Sequence, residues 1–225
     1  MTPTRPTLRM ERELLRSGAT VLACADEAGR GALSGPVSLG LVVITAQTTP
    51  APAGVRDSKL LSPQRRAELV PRIRQWTAHA VGMASAQEVD RLGVLAALRL
   101  AGQRAIADLP VTPDCVLLDG NYDYLSATAQ PPLFDDESGN GAMPPVVTRV
   151  KADLRCAGVA AASILAKTAR DALMVELDRE YPEYQWQHNK GYAAPEHIEA
   201  LRRVGPSPHH RVSWRLPTAV GLPAR

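Results

Sequence analysis

Residues Val21–Pro36 read VLACADEAGRGALSGP, an apolar run that delivers two adjacent carboxylates and then a glycine-punctuated basic turn. Val21 to Ala25 have the composition of a short strand buried on both faces, ending at Asp26 and Glu27. Held ~3–4 Å apart and partly desolvated, two carboxylates repel, and one rises in pKa unless a cation neutralises both. A divalent metal would do that. Successive strand residues face opposite sides, so the pair is expected to share a site only where the strand stops or bends. Gly29 and Gly31 supply that freedom on either side of Arg30, and with no Cβ in the way their backbone N–H groups can meet sugar or phosphate oxygens. A charged hairpin turn would use the same letters, so residues 26–31 alone leave both readings open.

At 225 residues the chain is sized for one domain with at most a small appendage, and it can bury a substantial core. Aromatics are only 4% against 45% hydrophobics, so the core must be mostly Ala, Val and Leu, which implies close packing of helices on a sheet. A net charge of +3 is too small to establish a nucleic-acid partner. Its distribution says more: Gln187–Arg225 holds six Lys or Arg against two acids, and four of the five histidines. Cys24, Cys115 and Cys156 are widely spaced and odd in number, which fits buried thiols in a reducing compartment rather than a disulfide framework or a zinc site. The N-terminal segment lacks the apolar core of a signal peptide, and no run approaches ~18 apolar residues, so a cytoplasmic protein without a membrane span is expected.

In chain order, residues 1–19 read as a loose arm and a short charged helix over Arg9–Arg16. Val37–Ile44 is a second strand, antiparallel to the first across the glycine turn. Ser62 as N-cap and Pro63 at the first helical position start a helix with Leu69, Ile73 and Trp76 on one face, leaving Asp57-Ser58-Lys59 as a loop held between strand and helix. Lys59 there is either solvated or a phosphate contact that stabilises developing negative charge. His79–Ala86 suits a third strand, and Gln87–Leu109 a helix in two pieces divided at Gly93. Asp114–Leu118 is another apolar strand that again ends on a carboxylate, Asp119; binding groups gather at strand ends in an open α/β sheet, so Asp119 is expected to join Asp26 and Glu27 from a neighbouring strand.

Tyr122–Pro145 reads as a mobile loop, and its acidic triplet Asp135-Asp136-Glu137 as solvated charge rather than a metal site. Val146–Val150 is a fifth strand leading to Lys151-Ala152-Asp153 and then a long Ala-rich helix beginning at Leu154. Asp153 is either a plain N-cap or a fourth carboxylate placed at a strand-to-helix junction. Ser163 and Lys167 share a helical face, as incidental polarity or as contacts to a phosphate backbone. Gln185–Tyr192 is a polar loop, Pro195–Val204 a further helix, and Gly205–Arg211 a basic turn in which His209 and His210, lacking a partner at ligand spacing, are read as hydrogen-bonding or phosphate-facing.

Six ordered blocks, Asp26-Glu27-Ala28-Gly29-Arg30-Gly31, Asp57-Ser58-Lys59, Leu118-Asp119-Gly120, Lys151-Ala152-Asp153, Ala161–Lys167 and Lys190-Gly191-Tyr192, resemble those of bacterial ribonuclease HII, and the likeness runs from about residue 20 to 214. The resemblance implies an α/β, ribonuclease-H-like fold: a five-stranded mixed sheet flanked by helices over residues 20–180, with a small helical C-terminal extension over 181–225. It implies a monomeric endonuclease that cuts RNA within RNA–DNA hybrids and at single ribonucleotides in duplex DNA, leaving 3′-hydroxyl and 5′-phosphate ends. It places the metal-binding catalytic acids at Asp26, Glu27, Asp119 and Asp153, holding two Mn²⁺ or Mg²⁺ ions. Substrate contacts fall on Gly29, Arg30, Gly31, Lys59, Ser163, Lys167 and Tyr192, with the basic C-terminal region holding duplex backbone. The sequence departs from the family pattern in the length of Tyr122–Pro145 and in Ala152, where Gly is common. Two other classes stay open: a nucleic-acid-binding module without catalysis, and a metal-dependent phosphatase or phosphotransferase.

Overall fold

The computed structural model describes residues 5–126 and 143–218. Among them, β1 (Leu22–Ala28), β2 (Val37–Ile44), β3 (His79–Ala84), β4 (Cys115–Asp119) and β5 (Val146–Arg149) form one sheet in the order β3-β2-β1-β4-β5. β2 pairs antiparallel with β1 and with β3, whereas β4 runs parallel to β1 and β5 parallel to β4. This is the mixed five-stranded sheet that the sequence implies. Its consequence for the site is that β1, β4 and β5 all end at the same edge.

The described residues form seven helices: α1 (Arg9–Arg16), α2 (Pro63–Trp76), α3 (Ala86–Leu92), α4 (Val94–Ala107), α5 (Ala157–Asp178), α6 (Trp186–Asn189) and α7 (Pro195–Val204). Alternation along β1 sends Leu22 and Cys24 to one face, where they pack with Ala157, Ala160, Ala161 and Ile164 of α5. Ala23 and Ala25 go to the other face, against Leu98, Ala101 and Ala105 of α4. Small residues make the close approach possible: a Cβ on Gly82 of β3 would lie 1.9 Å from the carbonyl oxygen of Ala101. Beyond α5, Tyr184, Trp186, Ala200 and Leu201 close over Met174 as a separate apolar cluster.

Element boundaries differ from the sequence reading where local capping intervenes. β3 stops at Ala84 because Ser85 becomes the N-cap of α3, sharing a reciprocal capping box with Glu88. Gly93, at φ 80°, divides α3 from α4 as expected. The long helix starts at Ala157, not Leu154, since residues 152–154 form a 3-10 turn. Asp153 is therefore not its N-cap; that position is Cys156, which offers no side-chain bond.

The missing cap comes from the N-terminal segment. Glu11 of α1 is fully buried, and its Oε1 accepts from Gly158 N at 2.8 Å, satisfying one of the free N–H groups of the first turn of α5. Thr7 extends the clamp, donating its N–H to Arg155 O and accepting from Ala157 N. Burial pushes the Glu11 carboxyl up to about 7, against its hydrogen bond from Gly158.

A carboxyl raised in the folded state contributes stability that is full below its unfolded value and is withdrawn as pH rises through its folded value. Wild-type stability should therefore fall between pH 5 and 8, and Glu11→Gln should remove roughly 1–3 kcal/mol of that fall. Urea unfolding across the range measures it. An unchanged pH profile in the variant would show that Glu11 does not titrate there.

Candidate active site

Asp26, Asp119 and Asp153 each place a carboxylate oxygen within 4.8 Å of the others. Strand register brings the first two together. Ala25 pairs with Leu118 across the parallel β1–β4 ladder, so Asp26 and Asp119 follow at adjacent positions, and both lie on the α5 side of the sheet. Asp153 arrives because the chain turns sharply after β5 through Lys151, at φ 58°, into the 3-10 turn that carries it. Asp119 Oδ1 accepts from Ala152 N at 2.7 Å and so ties that turn to the end of β4.

Glu27, the fourth expected acid, stands outside this trio. β1 does not stop before the pair but runs through both residues to Ala28, with Asp26 opposite Gly40 and Glu27 opposite Leu39. The two carboxylates consequently leave opposite faces. Glu27 Oε2 accepts from the hydroxyl of Tyr124 at 2.8 Å, and Oε1 lies 3.8 Å from the Arg30 guanidinium. Both acids still line one groove of about 410 Å³, together with residues 28–31, Ser58, Lys59, Lys167 and Tyr192.

Crowding leaves an electrostatic signature. Burial, then Glu27, Asp119 and Asp153, push the Asp26 carboxyl well above the usual carboxylate range. Burial followed by Asp119 and Asp57 raises Asp153 to about 6. Some desolvation works against the Lys59 ammonium, yet Asp26 and Asp57 outweigh it and hold Lys59 above its ordinary value. Lys59 against the four aspartates Asp26, Asp57, Asp119 and Asp153 leaves an excess of negative charge, and the oxygen-only donor set is the kind that takes Mg²⁺ or Mn²⁺.

The substrate contacts expected from sequence divide into two groups. Gly29, Arg30, Gly31, Lys59, Lys167 and Tyr192 line the groove. Lys167 also pairs with Asp171 at 2.5 Å, and its ammonium lies 5.5 Å from the centre of the Tyr192 ring. Ser163 is buried beneath: its Oγ accepts from Ser58 N at 3.1 Å, so it holds the Lys59 loop rather than facing a ligand. Arg66 completes that support, donating to Ser58 O and pairing with Asp171. Arg211, which lies in the basic C-terminal region expected to hold duplex backbone, is fully buried. His210 is also interior, bonding through its ring to Ser207 and His197, as a hydrogen-bonding role requires. The Asp135-Asp136-Glu137 triplet lies outside the described residues.

Sequence reasoning missed Tyr124, Asp57, Glu11 and the buried arginines. Asp57 is buried and caps the turn that carries Lys59. Tyr124 lies five residues beyond Asp119, in a stretch read only as loop, and no spacing rule points from it to Glu27.

Fold and site together define the class of the ribonuclease-H-like nucleases. The chain is similar to the crystal structure of ribonuclease H2 from Pyrococcus horikoshii, with a TM-score of 0.65 at 24% identity over 88% of this chain and 95% of that one. It is similar also to ribonuclease HII in its PCNA complex from Archaeoglobus fulgidus, with a TM-score of 0.64 at 27% identity over 87% of this chain and 96% of that one. The family model described as Ribonuclease HII matches residues 23–216. Ribonuclease HII of Streptomyces coelicolor is 46% identical over 93% of this chain and 83% of its own length, and that of Thermus thermophilus 46% over 90% and 89%. The chain belongs to the ribonuclease HII family, and it is an endoribonuclease, a hydrolase acting on nucleic acid. No described helix is long and apolar enough to cross a membrane.

Neutralising one member of the crowded trio should stabilise the metal-free protein. Asp26→Asn is expected to raise the melting temperature at pH 8 by roughly 2–4 °C per kcal/mol of repulsion relieved. Because Asp26 is raised, it protonates as pH falls, so the gain should shrink toward pH 5. Calorimetry in EDTA at the two pH values measures this, and a variant less stable at pH 8 would contradict it.

Proposed function

We propose that the groove cuts the RNA strand of RNA–DNA hybrids and the phosphodiester at single ribonucleotides in duplex DNA, leaving 3′-hydroxyl and 5′-phosphate ends. The observation that carries this reading is the convergence of Asp26, Asp119 and Asp153 from three separate segments. Their excess negative charge fits a pair of Mn²⁺ or Mg²⁺ ions that the trio would hold, with Glu27, which lines the same groove, as the fourth acid. Bound there, such ions activate water and neutralise charge on the phosphate and leaving oxygen.

The chain's own residues supply the rest. Lys59, which lines the groove and is kept charged by the neighbouring aspartates, serves as the contact to the phosphate being cut. The Gly29-Arg30-Gly31 backbone offers donors to a ribose 2′-hydroxyl, and Tyr192 offers an aromatic face for the sugar. None of these groups reads a base edge, so cleavage is sequence-tolerant. The enzyme is proposed to act as a monomer in the cytoplasm. A non-catalytic binding module has no use for three mutually repelling aspartates, and a small-molecule phosphatase has none for an open groove edged by Tyr192 and Lys167.

Duplexes carrying one, four or no ribonucleotides, incubated with Mn²⁺ or Mg²⁺, separate these readings. The first two should be cut, the third left intact, and EDTA should abolish cutting. Asp26→Asn should slow cleavage by on the order of 10³-fold while retaining duplex binding. Binding without cutting by the wild type would favour the non-catalytic module. Robust cutting by the variant would remove Asp26 from the mechanism.

A further inference from the structure

Two guanidinium groups lie fully buried under the Gly29–Pro36 loop. Arg211 donates to Gly29 O at 2.7 Å, Arg30 O at 2.9 Å and Gly35 O at 3.0 Å. Arg170 donates to Pro36 O, Lys190 O and Ser34 O, each within 2.9 Å. Among the described residues neither pairs with a carboxylate; each meets only carbonyls and an aromatic ring, Trp214 at 4.9 Å from Arg211 and Tyr192 at 5.3 Å from Arg170. Burial and the neighbouring Arg170 charge bring Arg211 down to about 10. Two adjacent charges buried without a directly paired carboxylate are costly to desolvate. What they gain is a loop whose carbonyls are fixed.

Fixing the carbonyls also fixes the amides. In a trans peptide the C=O of one residue and the N–H of the next point in opposite directions, and no described peptide is cis. Arg211 draws the oxygens of Gly29 and Arg30 inward, so the N–H groups of Arg30 and Gly31 are turned outward, on the segment that lines the groove. Among the described residues neither N–H donates to a protein acceptor. Gly29 is held at φ 85°, and a Cβ there would lie 2.1 Å from Arg170 Nε, so the second arginine seats the first glycine.

We propose that Arg211 is a specificity-determining positioning residue: by holding two peptide planes it presents the amides of Arg30 and Gly31 as a preformed double donor for the ribose 2′-hydroxyl. The C-terminal segment thus sets discrimination between RNA and DNA from inside the protein, without touching the duplex. This rests on the reading given under Proposed function. A lysine cannot replace the fork, because its compact ammonium lacks the planar set of donors with which two guanidinium nitrogens reach three separate carbonyls.

The test is equilibrium binding in the Asp26→Asn background with Mg²⁺, comparing a duplex bearing one ribonucleotide with the all-DNA duplex of the same sequence. Adding Arg211→Lys should lower the preference for the ribonucleotide by about fivefold or more, while all-DNA affinity stays within about twofold. A preference that survives in the folded variant, or an equal loss for both duplexes, overturns the positioning role. If Arg211→Lys does not fold, Trp214→Leu, which removes the ring behind the guanidinium and keeps an apolar side chain against the neighbouring core, should still lower the preference, and an unchanged preference there overturns it equally. Absence of any preference in the Asp26→Asn parent instead defeats ribose recognition by this groove, and the inference falls with it.

Discussion

Mutual repulsion among Asp26, Asp119 and Asp153 is the constraint that the architecture is built to withstand. Carboxylates this close, with Asp26 and Asp153 almost out of solvent, would separate if their backbones could move. They cannot, because Asp26 is paired within β1 to Gly40 of β2, Asp119 ends β4 paired to Arg149, and Asp153 follows β5, the strand hydrogen-bonded to β4. Hydrogen-bonded sheet geometry thus opposes the electrostatics, and the strain is relieved only by protonation or by a cation. A site that must hold divalent ions is best made from a rigid frame of this kind.

The frame itself depends on contacts far from the acids in sequence. The turn carrying Asp153 is held from one side by Asp119 through Ala152 N, while Thr7 grips Arg155 and Ala157 just beyond it. Glu11 caps α5 where Cys156 cannot. Across the groove, Ser163, Arg66 and Asp171 fasten the loop that carries Lys59. Arg170 and Arg211 fasten the glycine loop. The glycine loop and the Lys59 loop are therefore secured by buried polar side chains outside the groove, Arg170, Arg211, Ser163 and Arg66 among them.

What could be read from the sequence follows from how local each signal is. Strand alternation, the Ser62-Pro63 start and the Gly93 break act within a few residues, and β2, α2 and α7 fall on their expected spans. The convergence of Asp26, Asp119 and Asp153 was legible because each terminates or follows an apolar run, and strand ends meet at one edge of such a sheet. Other features were not legible. Whether Glu27 faces the trio depends on the strand continuing to Ala28, which pairing with β2 decides. Arg211 reads as basic surface in sequence, and only the position of the Gly29–Pro36 loop above it makes it interior. Ser163 likewise changes meaning once Ser58 is seen to donate to it across 105 residues of chain.

The most direct measurement of the central claim is anomalous diffraction from crystals of the wild-type protein soaked in Mn²⁺. A peak is expected within bonding distance of carboxylate oxygens from Asp26, Asp119 and Asp153. Crystals that take up Mn²⁺ elsewhere while this trio stays empty at saturating ion would contradict it.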